Sequence, residues 1–169
     1  MKLGTTIKAA AIAVGVLALG FAQSANAATA TTTFAVTASV TANCTISASP
    51  LAFGAYTGAV VNNQTTLSVT CTNTTPYSVG LSAGTSTGAT VSTRKMTGAA
   101  STANLLNYSL FRDSGRTLNW GVTTTGTPDV QPGTGNGTAQ SITVYGQVPA
   151  GQNVAPDNYS DTITATVNY

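Results

Sequence analysis

Residues 28–43 read ATATTTFAVTASVTAN, and this stretch decides how the rest of the chain is interpreted. No glycine or proline interrupts it, and none of its side chains is charged. Its even-numbered positions are small or apolar with one exception, and they are Ala28, Ala30, Thr32, Phe34, Val36, Ala38 and Val40. The odd positions are nearly all polar, and alternation with a period of two is typical of a strand with one apolar face. The stretch therefore predicts an unusually long β-strand.

This predicted strand lacks the features that usually protect a strand edge. Natural edge strands carry lysine, proline or a bulge that prevents pairing with other chains, whereas no residue from Ala9 to Thr93 is charged. One interpretation is that the stretch is simply the first strand of its own sheet. We favour the other, in which residues 28–41 form an arm that pairs with another molecule by strand addition. The side chains that such a donor strand would insert are Phe34, Val36, Ala38 and Val40.

The segment from Tyr159 to Tyr169, YSDTITATVNY, shows the same alternation at the other end of the chain. Its apolar face consists of Ile163, Ala165, Val167 and Tyr169. We expect a strand whose outer edge stays available. An arm at one end and an open strand at the other is a head-to-tail arrangement, and contacts of that kind give open filaments rather than closed dimers.

The residues before the arm have the composition of an export signal. A basic start, an apolar run from Ala9 to Ala22 and small residues up to Ala27 are the three parts of a secretory signal peptide. The run is shorter than the roughly 18–20 apolar residues that cross a bilayer, which disfavours a membrane anchor. We therefore expect a signal peptide over residues 1–27 and, after the arm, a single domain over residues 42–169.

The mature chain is almost uncharged, which excludes several functions. The full chain has six Lys+Arg, four Asp+Glu and no His. Without the two lysines of the leader, four cations face four aspartates, so the formal net charge is zero (4 − 4). No basic surface is available for phosphate backbones, and we expect no nucleic-acid partner. A net charge of zero also removes the repulsion that keeps monomers dispersed, and it suits assembly.

Catalytic, cofactor-binding and metal-ligating residues are not expected. Without His or Glu, acid–base and triad chemistry lack their usual side chains. Ser92–Lys95 has the S-x-x-K spacing of penicillin-recognising enzymes, but that chemistry requires the serine at a helix start and further motifs. The four aspartates lie near predicted turns, where capping of backbone N–H groups explains them. We predict a protein that is not an enzyme and needs no cofactor.

The two cysteines, Cys44 and Cys71, predict a disulfide. An even number of cysteines in an exported protein usually means a bridge. Closing a loop of this length is worth about 3.5 kcal/mol if the bridge acts through chain entropy. The alternative is a metal site, but the chain has no His and no CxxC pair to complete one.

The remaining sequence predicts a β-sandwich. Short alternating runs are separated by turn residues, and no stretch of the mature chain shows a convincing helical period. The predicted strands are Phe34–Val40, Leu51–Tyr56, Thr65–Cys71, Tyr77–Leu81, Ala89–Met96, Leu105–Phe111, Thr117–Val122, Gln140–Val148 and Tyr159–Val167. We expect residues 113–115, Asp-Ser-Gly, to form a tight hairpin connection. Residues 123–139, rich in glycine and proline, predict a long exposed loop.

Several short segments follow the order of a known family. They are NCTI at 43–46, LAFGAY at 51–56, VTC at 69–71, YSL at 108–110, WG at 120–121, VYGQV at 144–148, GQ at 151–152, YSDT at 159–162 and VNY at 167–169. With them, the chain from about Val36 to Tyr169 resembles a spore coat protein U domain, the fold of subunits in archaic chaperone–usher pili of Gram-negative bacteria. Val122-Thr123 replaces an expected acidic residue and glycine, and Pro156–Asn158 occupies a place where glycine is usual. Both departures lie in predicted turns and concern loop shape.

The resemblance implies an incomplete immunoglobulin-like β-sandwich that lacks its last strand and is completed by donor-strand exchange. A periplasmic chaperone would lend a strand to the groove, and the C-terminal strand with Ile163, Ala165, Val167 and Tyr169 would face the groove or the chaperone. An outer-membrane usher would then exchange the chaperone's strand for the arm of a neighbouring copy or of a related pilin. The implied function is a structural subunit of a secreted, cell-surface fibre that serves adhesion and biofilm formation.

Two other functions remain open at this point, a secreted β-sandwich binding module and a spore or cell coat protein. In a binding module, Trp120, Tyr145 and Tyr159 would stack on a sugar, although a tryptophan in a sandwich usually belongs to the core. A tip adhesin is disfavoured, because such proteins usually add a second binding domain that this length excludes.

Overall fold

A computed structural model of the chain describes residues 27–125 and 129–169. The predicted signal peptide, apart from Ala27, lies outside the described residues, as do residues 126–128 of the predicted long loop. Strands, turns and irregular segments make up everything that is described, with no helix among these residues. A helix long and apolar enough to cross a membrane is accordingly not found in this part of the chain. The chain divides into two compact units, Met1–Ala38 and Ser39–Tyr169.

In the first unit, the described residues 27–38 are exposed and form no regular secondary structure. The side chains of Phe34 and Val36 are 84% and 83% exposed. The predicted strand Phe34–Val40 is therefore not formed within the single chain. A segment becomes a stable β-strand only when a neighbouring strand supplies hydrogen bonds and a surface to pack on, so an alternating pattern alone does not produce one.

The second unit contains nine β-strands among its described residues. They are β1 (Cys44–Ala48), β2 (Val61–Cys71), β3 (Pro76–Leu81), β4 (Arg94–Gly98), β5 (Leu105–Phe111), β6 (Gln131–Thr134), β7 (Ala139–Val148), β8 (Tyr159–Ser160) and β9 (Ala165–Asn168). One sheet has six strands in the order β1-β2-β7-β5-β4-β8, and the other has three in the order β6-β3-β9. Every pair is antiparallel.

The core lies between the two sheets, where alternate residues of each strand face inward. Its buried apolar side chains are Leu67, Val69, Cys71, Tyr77, Val79, Leu81, Leu106, Tyr108, Leu110, Trp120, Val144 and Val148. β2 and β7 carry the longest ladder, from Val61 opposite Val148 to Thr70 opposite Ala139. The predicted all-β class, with two sheets packed on one core, is confirmed.

The N-terminal part of the domain differs from the prediction. Cys44–Ala48 forms a strand that was not predicted, and it pairs with β2 in a register that sets Cys44 opposite Cys71. The predicted strand Leu51–Tyr56 is wrong, because these residues are irregular. Pairing with β2 continues to Ser49, whose N–H donates to the Thr66 carbonyl at 3.1 Å. Pro50, which has no N–H, comes next, and the ladder ends there.

The predicted strand Thr117–Val122 forms only an isolated bridge between Phe111 and Asn119. The hairpin turn at residues 113–115 is present, and the Trp120 N–H still donates to the Leu110 carbonyl of β5 at 2.9 Å. The next residue already bonds to the other sheet. Because this segment passes from one sheet to the other, it cannot extend a ladder in either.

Two further predictions need correction in their bounds. The predicted loop 123–139 contains the short strand β6, which includes Pro132 and Gly133. β6 lies at the edge of its sheet, where a missing N–H costs no ladder hydrogen bond. The predicted strand Ala89–Met96 begins only at Arg94, since the preceding residues form turns.

Candidate functional site: an open apolar groove beside the last strand

An open cleft of about 1180 Å³ extends along the core of the second unit, and we call it the groove. Its floor consists of buried side chains from three strands of the large sheet, Leu67, Leu106, Tyr108, Leu110, Val144 and Val148. One wall is formed by residues 48–56 and the other by residues 154–163 together with Ala165. The half-buried apolar side chains of the walls include Leu51, Phe53, Val154 and Ile163. The groove is therefore an unfilled part of the hydrophobic core.

The first wall is held by side chains and not by a β-ladder. Within the described chain, residues 50–57 take part in no backbone–backbone hydrogen bond outside the sheets and belong to no strand. The Asn63 side chain instead donates to the Ala52 carbonyl, and the Tyr56 hydroxyl donates to the Pro149 carbonyl at 2.9 Å. The ring of Phe53 packs edge-on against Tyr108, with ring centroids 5.9 Å apart. This wall presents apolar side chains and unpaired backbone to the groove.

The second wall leads into β9, and its outer edge is open. The predicted strand Tyr159–Val167 is divided into β8 and β9, with residues 161–164 between them. β9 pairs with β3 on one side and is the last strand of its sheet. The Ser82 N–H donates to the Thr164 carbonyl at 2.9 Å, and the Thr164 N–H donates to Ser82 Oγ at 2.9 Å. Thr164 therefore directs both of its backbone groups toward β3.

The direction of Thr164 fixes the direction of its neighbours. Hydrogen-bonded and non-hydrogen-bonded pairs alternate along an antiparallel ladder. In the observed register, Thr166 and Asn168 face Gly80 and Ser78 of β3, two and four residues beyond Thr164. The residues between them direct their N–H and C=O groups away from β3, and these are Ile163, Ala165 and Val167. Six backbone groups thus face the open edge, and those of Ile163 and Ala165 lie beside the apolar groove.

The side chains predicted to form the apolar face of this strand are placed as follows. Ile163, Ala165 and Val167 are half-buried and pack against the core. Ile163 and Ala165 line the groove. Tyr169 is 59% exposed and lies in a second, smaller cleft of about 360 Å³ beside residues 40–42 and 72–76. The structure therefore joins three of the four predicted residues to the core and separates Tyr169 from them.

The predicted donor-strand side chains are all exposed. Phe34, Val36 and Ala38 are exposed residues of the first unit, of which Ala38 is the last residue. Val40, in the second unit, is 89% exposed. Large apolar side chains are rarely left this exposed in a row.

The predicted disulfide between Cys44 and Cys71 is confirmed, and the Cα atoms of the two cysteines are 4.1 Å apart. Cys44, three residues after the end of the arm, is the first residue of β1, and the bridge ties it to the last residue of β2. Among the described residues, no group of three or more His, Cys, Asp or Glu side chains could hold a metal ion.

The four aspartates cap backbone N–H groups, as predicted. Asp113 accepts from the Leu118 N–H at 2.7 Å and from the N–H and hydroxyl of Thr117, and these bonds lower the pKa of its carboxyl group. At Asp157 partial burial acts in the opposite direction, but donors including the Ala100 N–H lower its pKa as well. Asp129 accepts from the Thr123 N–H at 2.6 Å. None of these carboxylates has the surroundings of a catalytic acid.

Asp161 lies in the groove wall, as Asp157 does, and it also contacts the groove floor. Its carboxylate accepts a hydrogen bond of 2.7 Å from the hydroxyl of Tyr108, a residue of the groove floor. Burial, and then this hydrogen bond and the negative charge, raise the pKa of Tyr108 well above its ordinary value of 10.0. The phenol is therefore a neutral donor at every physiological pH. The sequence does not indicate this pair, because its members are 53 residues apart.

The two alternative sites from the sequence are not formed. Trp120 is fully buried and its indole N–H donates to the Val79 carbonyl at 2.8 Å, so it belongs to the core and cannot stack on a sugar. The S-x-x-K segment, Ser92–Lys95, is not helical, and its Arg94 is fully buried. The Arg94 guanidinium donates to the carbonyls of Ser82, Leu81, Val91 and Trp120, and desolvation lowers its pKa.

Comparison with known proteins shows the family of the chain. Residues 30–166 match the Spore Coat Protein U domain. The chain belongs to the spore coat protein U domain family. A relative in this family, Protein U of Myxococcus xanthus, is 39% identical over 162 residues, which cover 86% of this chain and 88% of the relative.

A solved structure shares the fold of this spore coat protein U domain. It is the chaperone–tip adhesion subunit pre-assembly complex CsuC–CsuE from the archaic chaperone–usher Csu pili of Acinetobacter baumannii. The TM-score is 0.58 at 24% identity, and the match covers 77% of this chain but 40% of the solved chain. This likeness shows the fold alone, and that fold is the immunoglobulin-like sandwich predicted above. As a member of the spore coat protein U domain family, the chain is a structural protein and not an enzyme.

Proposed function

We propose that the protein is a structural subunit of a secreted surface fibre of the chaperone–usher type, and that it polymerises by donor-strand complementation. The arm of one copy, residues 28–41, fills the groove of the next copy. The observation that carries this proposal is the open edge of β9 beside the groove. There, backbone groups without a partner strand adjoin exposed apolar surface. Apolar surface is costly when it is left in water. Unpaired backbone groups are costly when they are shielded from water without a hydrogen-bond partner.

The dimensions and the pattern of the arm fit this groove. Phe34–Val40 in an extended conformation spans about 20 Å, at roughly 3.3 Å per residue. The edge of the chain from Asp161 to Asn168 spans about 23 Å at the same rise. Alternation then directs Phe34, Val36, Ala38 and Val40 to the groove floor while the arm's backbone pairs with the open edge of β9.

The free energy of filling the groove comes from apolar burial and backbone hydrogen bonds. Phe34, Val36 and Val40 change from more than 80% exposed to buried. Full burial is worth about 1.5–3 kcal/mol for each such side chain, so about 5–9 kcal/mol in total as an upper bound. Each new backbone hydrogen bond adds about 1 kcal/mol. The uncharged arm meets no repulsion from Asp157 and Asp161, the two charged residues in the groove lining.

The remaining partners and the cellular location follow from this assembly. A periplasmic chaperone would protect the groove with a strand of its own, and an outer-membrane usher would replace that strand by the arm of an incoming subunit. Polymerisation then completes folding and needs no ATP. The subunit would be exported by the signal peptide, residues 1–27, and reach the cell surface in a fibre for adhesion and biofilm formation. A sugar-binding module is not favoured, because the one tryptophan is buried.

Deletion of residues 28–40 tests the proposal. Wild type and the deletion variant are each co-expressed with a cognate chaperone, and periplasmic extracts are separated on an unboiled SDS gel. We expect a ladder of SDS-resistant multimers for wild type and only monomer for the deletion variant. A control with Thr33→Ser, Thr37→Ser and Ser39→Thr, on the opposite face of the arm, should retain the ladder. A ladder that persists without the arm would disprove donor-strand assembly.

A further inference from the structure

Asp161 is the centre of a side-chain network in the groove wall. One of its carboxylate oxygens accepts hydrogen bonds from the Thr85 N–H at 2.8 Å, the Thr85 hydroxyl at 3.0 Å and the Thr162 N–H at 2.8 Å. The other accepts the Tyr108 hydroxyl at 2.7 Å. A single side chain therefore joins the groove wall to the groove floor and to the loop after β3.

The next residues of the wall are held by the same loop. Ser82 binds Thr164 twice, through its own N–H and through its hydroxyl oxygen. The Ser82 carbonyl in turn accepts from the Nε of buried Arg94 at 2.8 Å. Arg94 thereby holds Ser82 in place, and Ser82 in turn holds Thr164 of the wall segment. Both ends of the segment 161–164 are thus anchored by polar side chains.

The loop is shaped to receive the carboxylate. A Cβ atom at Gly84 would lie 1.9 Å from Asp161 Oδ2, and the backbone of Gly84 has a φ of +92°, which L side chains rarely adopt. Only glycine lets the loop approach the aspartate this closely. The close contact between the loop and the Asp161 carboxylate therefore depends on glycine at position 84.

We infer that Asp161 is a positioning residue, which fixes segment 161–164 so that the open edge of the groove is set before a donor strand arrives. Segment 161–164 lies between β8 and β9 and has no ladder of its own. The hydrogen bonds of Asp161 and Ser82 take the place of that ladder, and they fix Ile163 between them with its backbone groups toward the groove. Preorganisation of this kind lowers the entropic cost of binding a strand. The inference rests on the proposed function for the identity of the strand.

The test uses the mature full-length chain at low concentration and a fluorescent peptide of residues 28–42. In Asp161→Ala, we expect peptide capture to slow at least about tenfold, the effect of losing one hydrogen bond to a charged acceptor. The amides of Thr162 and Thr164 should exchange with deuterium at least about tenfold faster. Asp161→Asn should restore most of both, since an amide can still accept from Thr85 and Thr162 and donate to the Tyr108 oxygen.

Asp113→Ala is the matched control, because Asp113 also caps backbone N–H groups but lies outside the groove. It should lower the melting temperature without slowing peptide capture. Tyr108→Phe, which keeps the Thr85 and Thr162 bonds, provides a milder variant should Asp161→Ala fail to fold, and it should slow capture by a smaller factor. Capture at the wild-type rate by Asp161→Ala would overturn the inference.

The two proposals fail separately. If wild type does not capture the peptide, the proposed function is wrong, and amide exchange alone then decides the inference. Faster exchange at Thr162 and Thr164 in Asp161→Ala would still show that the carboxylate positions the wall. Unchanged exchange would disprove it.

Discussion

Replacing Phe34 by aspartate should block fibre growth and leave the folded subunit intact. Phe34 is 84% exposed in the chain, so its replacement removes almost no native packing. Exposed substitutions usually change the free energy of unfolding by no more than about 0.5 kcal/mol. In the groove, by contrast, loss of the ring forfeits about 2 kcal/mol of burial. A carboxylate placed against apolar side chains costs at least about 2 kcal/mol more.

The sum, about 4 kcal/mol, corresponds to roughly a thousandfold weaker donor-strand binding. Fibre growth is followed by light scattering of purified subunits released from the chaperone, and multimers are counted on unboiled SDS gels. Thr37→Asp places the same charge on the opposite face of the same arm and should assemble within a few-fold of the wild-type rate. Assembly of Phe34→Asp at the wild-type rate, or an equal block by Thr37→Asp, would refute the reasoning.

Three other substitutions test the groove and its supports. Replacing Cys44 and Cys71 by serine should lower the free energy of unfolding by about 3.5 kcal/mol, measured by chemical denaturation, because the closed loop is opened. Gly84→Ala should cost about 2 kcal/mol or more in the same assay, since the new methyl group collides with Asp161 and the backbone is strained. For Tyr108, whose pKa is raised by folding, the stabilisation is complete below about pH 10 and is lost as the pH rises further, and Tyr108→Phe should flatten this alkaline decline.

Each of these predictions has its own control. Wild type under reducing conditions should match the cysteine double variant, and a stable reduced protein would contradict the first. Gly137→Ala is the control for Gly84→Ala. Gly137 also has a positive φ, +78°, but the new methyl group would lie in open space, so the free energy of unfolding should fall by only about 1–2 kcal/mol. An equal loss in both glycine variants would show that the contact with Asp161 contributes nothing. An alkaline decline that persists in Tyr108→Phe would assign it to another group.

The strands of the central core could be predicted closely from the sequence. β5 was predicted with its observed bounds, and β3 and β7 differ by one residue at their starts. In these strands the apolar side of the alternation faces the core and the backbone pairs on at least one side. In these strands the alternation of apolar residues therefore predicts the strand correctly, because each side chain that faces the core lies on a strand that pairs with a neighbouring strand.

The wrong strand predictions occur where side chains face the core but the backbone has no partner strand, or where the backbone pairs without a clear apolar alternation. Leu51 and Phe53 do face the core, as their alternation indicates, but their backbone has no partner strand. β1, in contrast, was missed because its strand character comes from pairing with β2 and from the disulfide. Periodicity identifies the side chains that face inward. It does not identify the neighbouring strand.

The two unprotected alternating segments predicted an arm and an open strand edge, and the family resemblance implied a groove. The polar side chains that support the groove were not predicted. The contact of Asp161 with Tyr108 joins residues that are distant in sequence, and nothing in either neighbourhood marks the pair. Gly84 is one of 17 glycines, and its neighbour Asp161 is separated from it by most of the domain. Such contacts are created by the fold itself.

Amide hydrogen exchange at single residues of β9, compared between monomer and fibre, tests the central claim most directly. If a donor strand pairs with the open edge, the amides of Ile163, Ala165 and Val167 exchange rapidly in the monomer and become protected on polymerisation. The amides of Thr166 and Asn168, which face β3, should be protected in both forms. Amides of the first three residues that exchange equally fast in monomer and fibre would contradict donor-strand assembly through this groove.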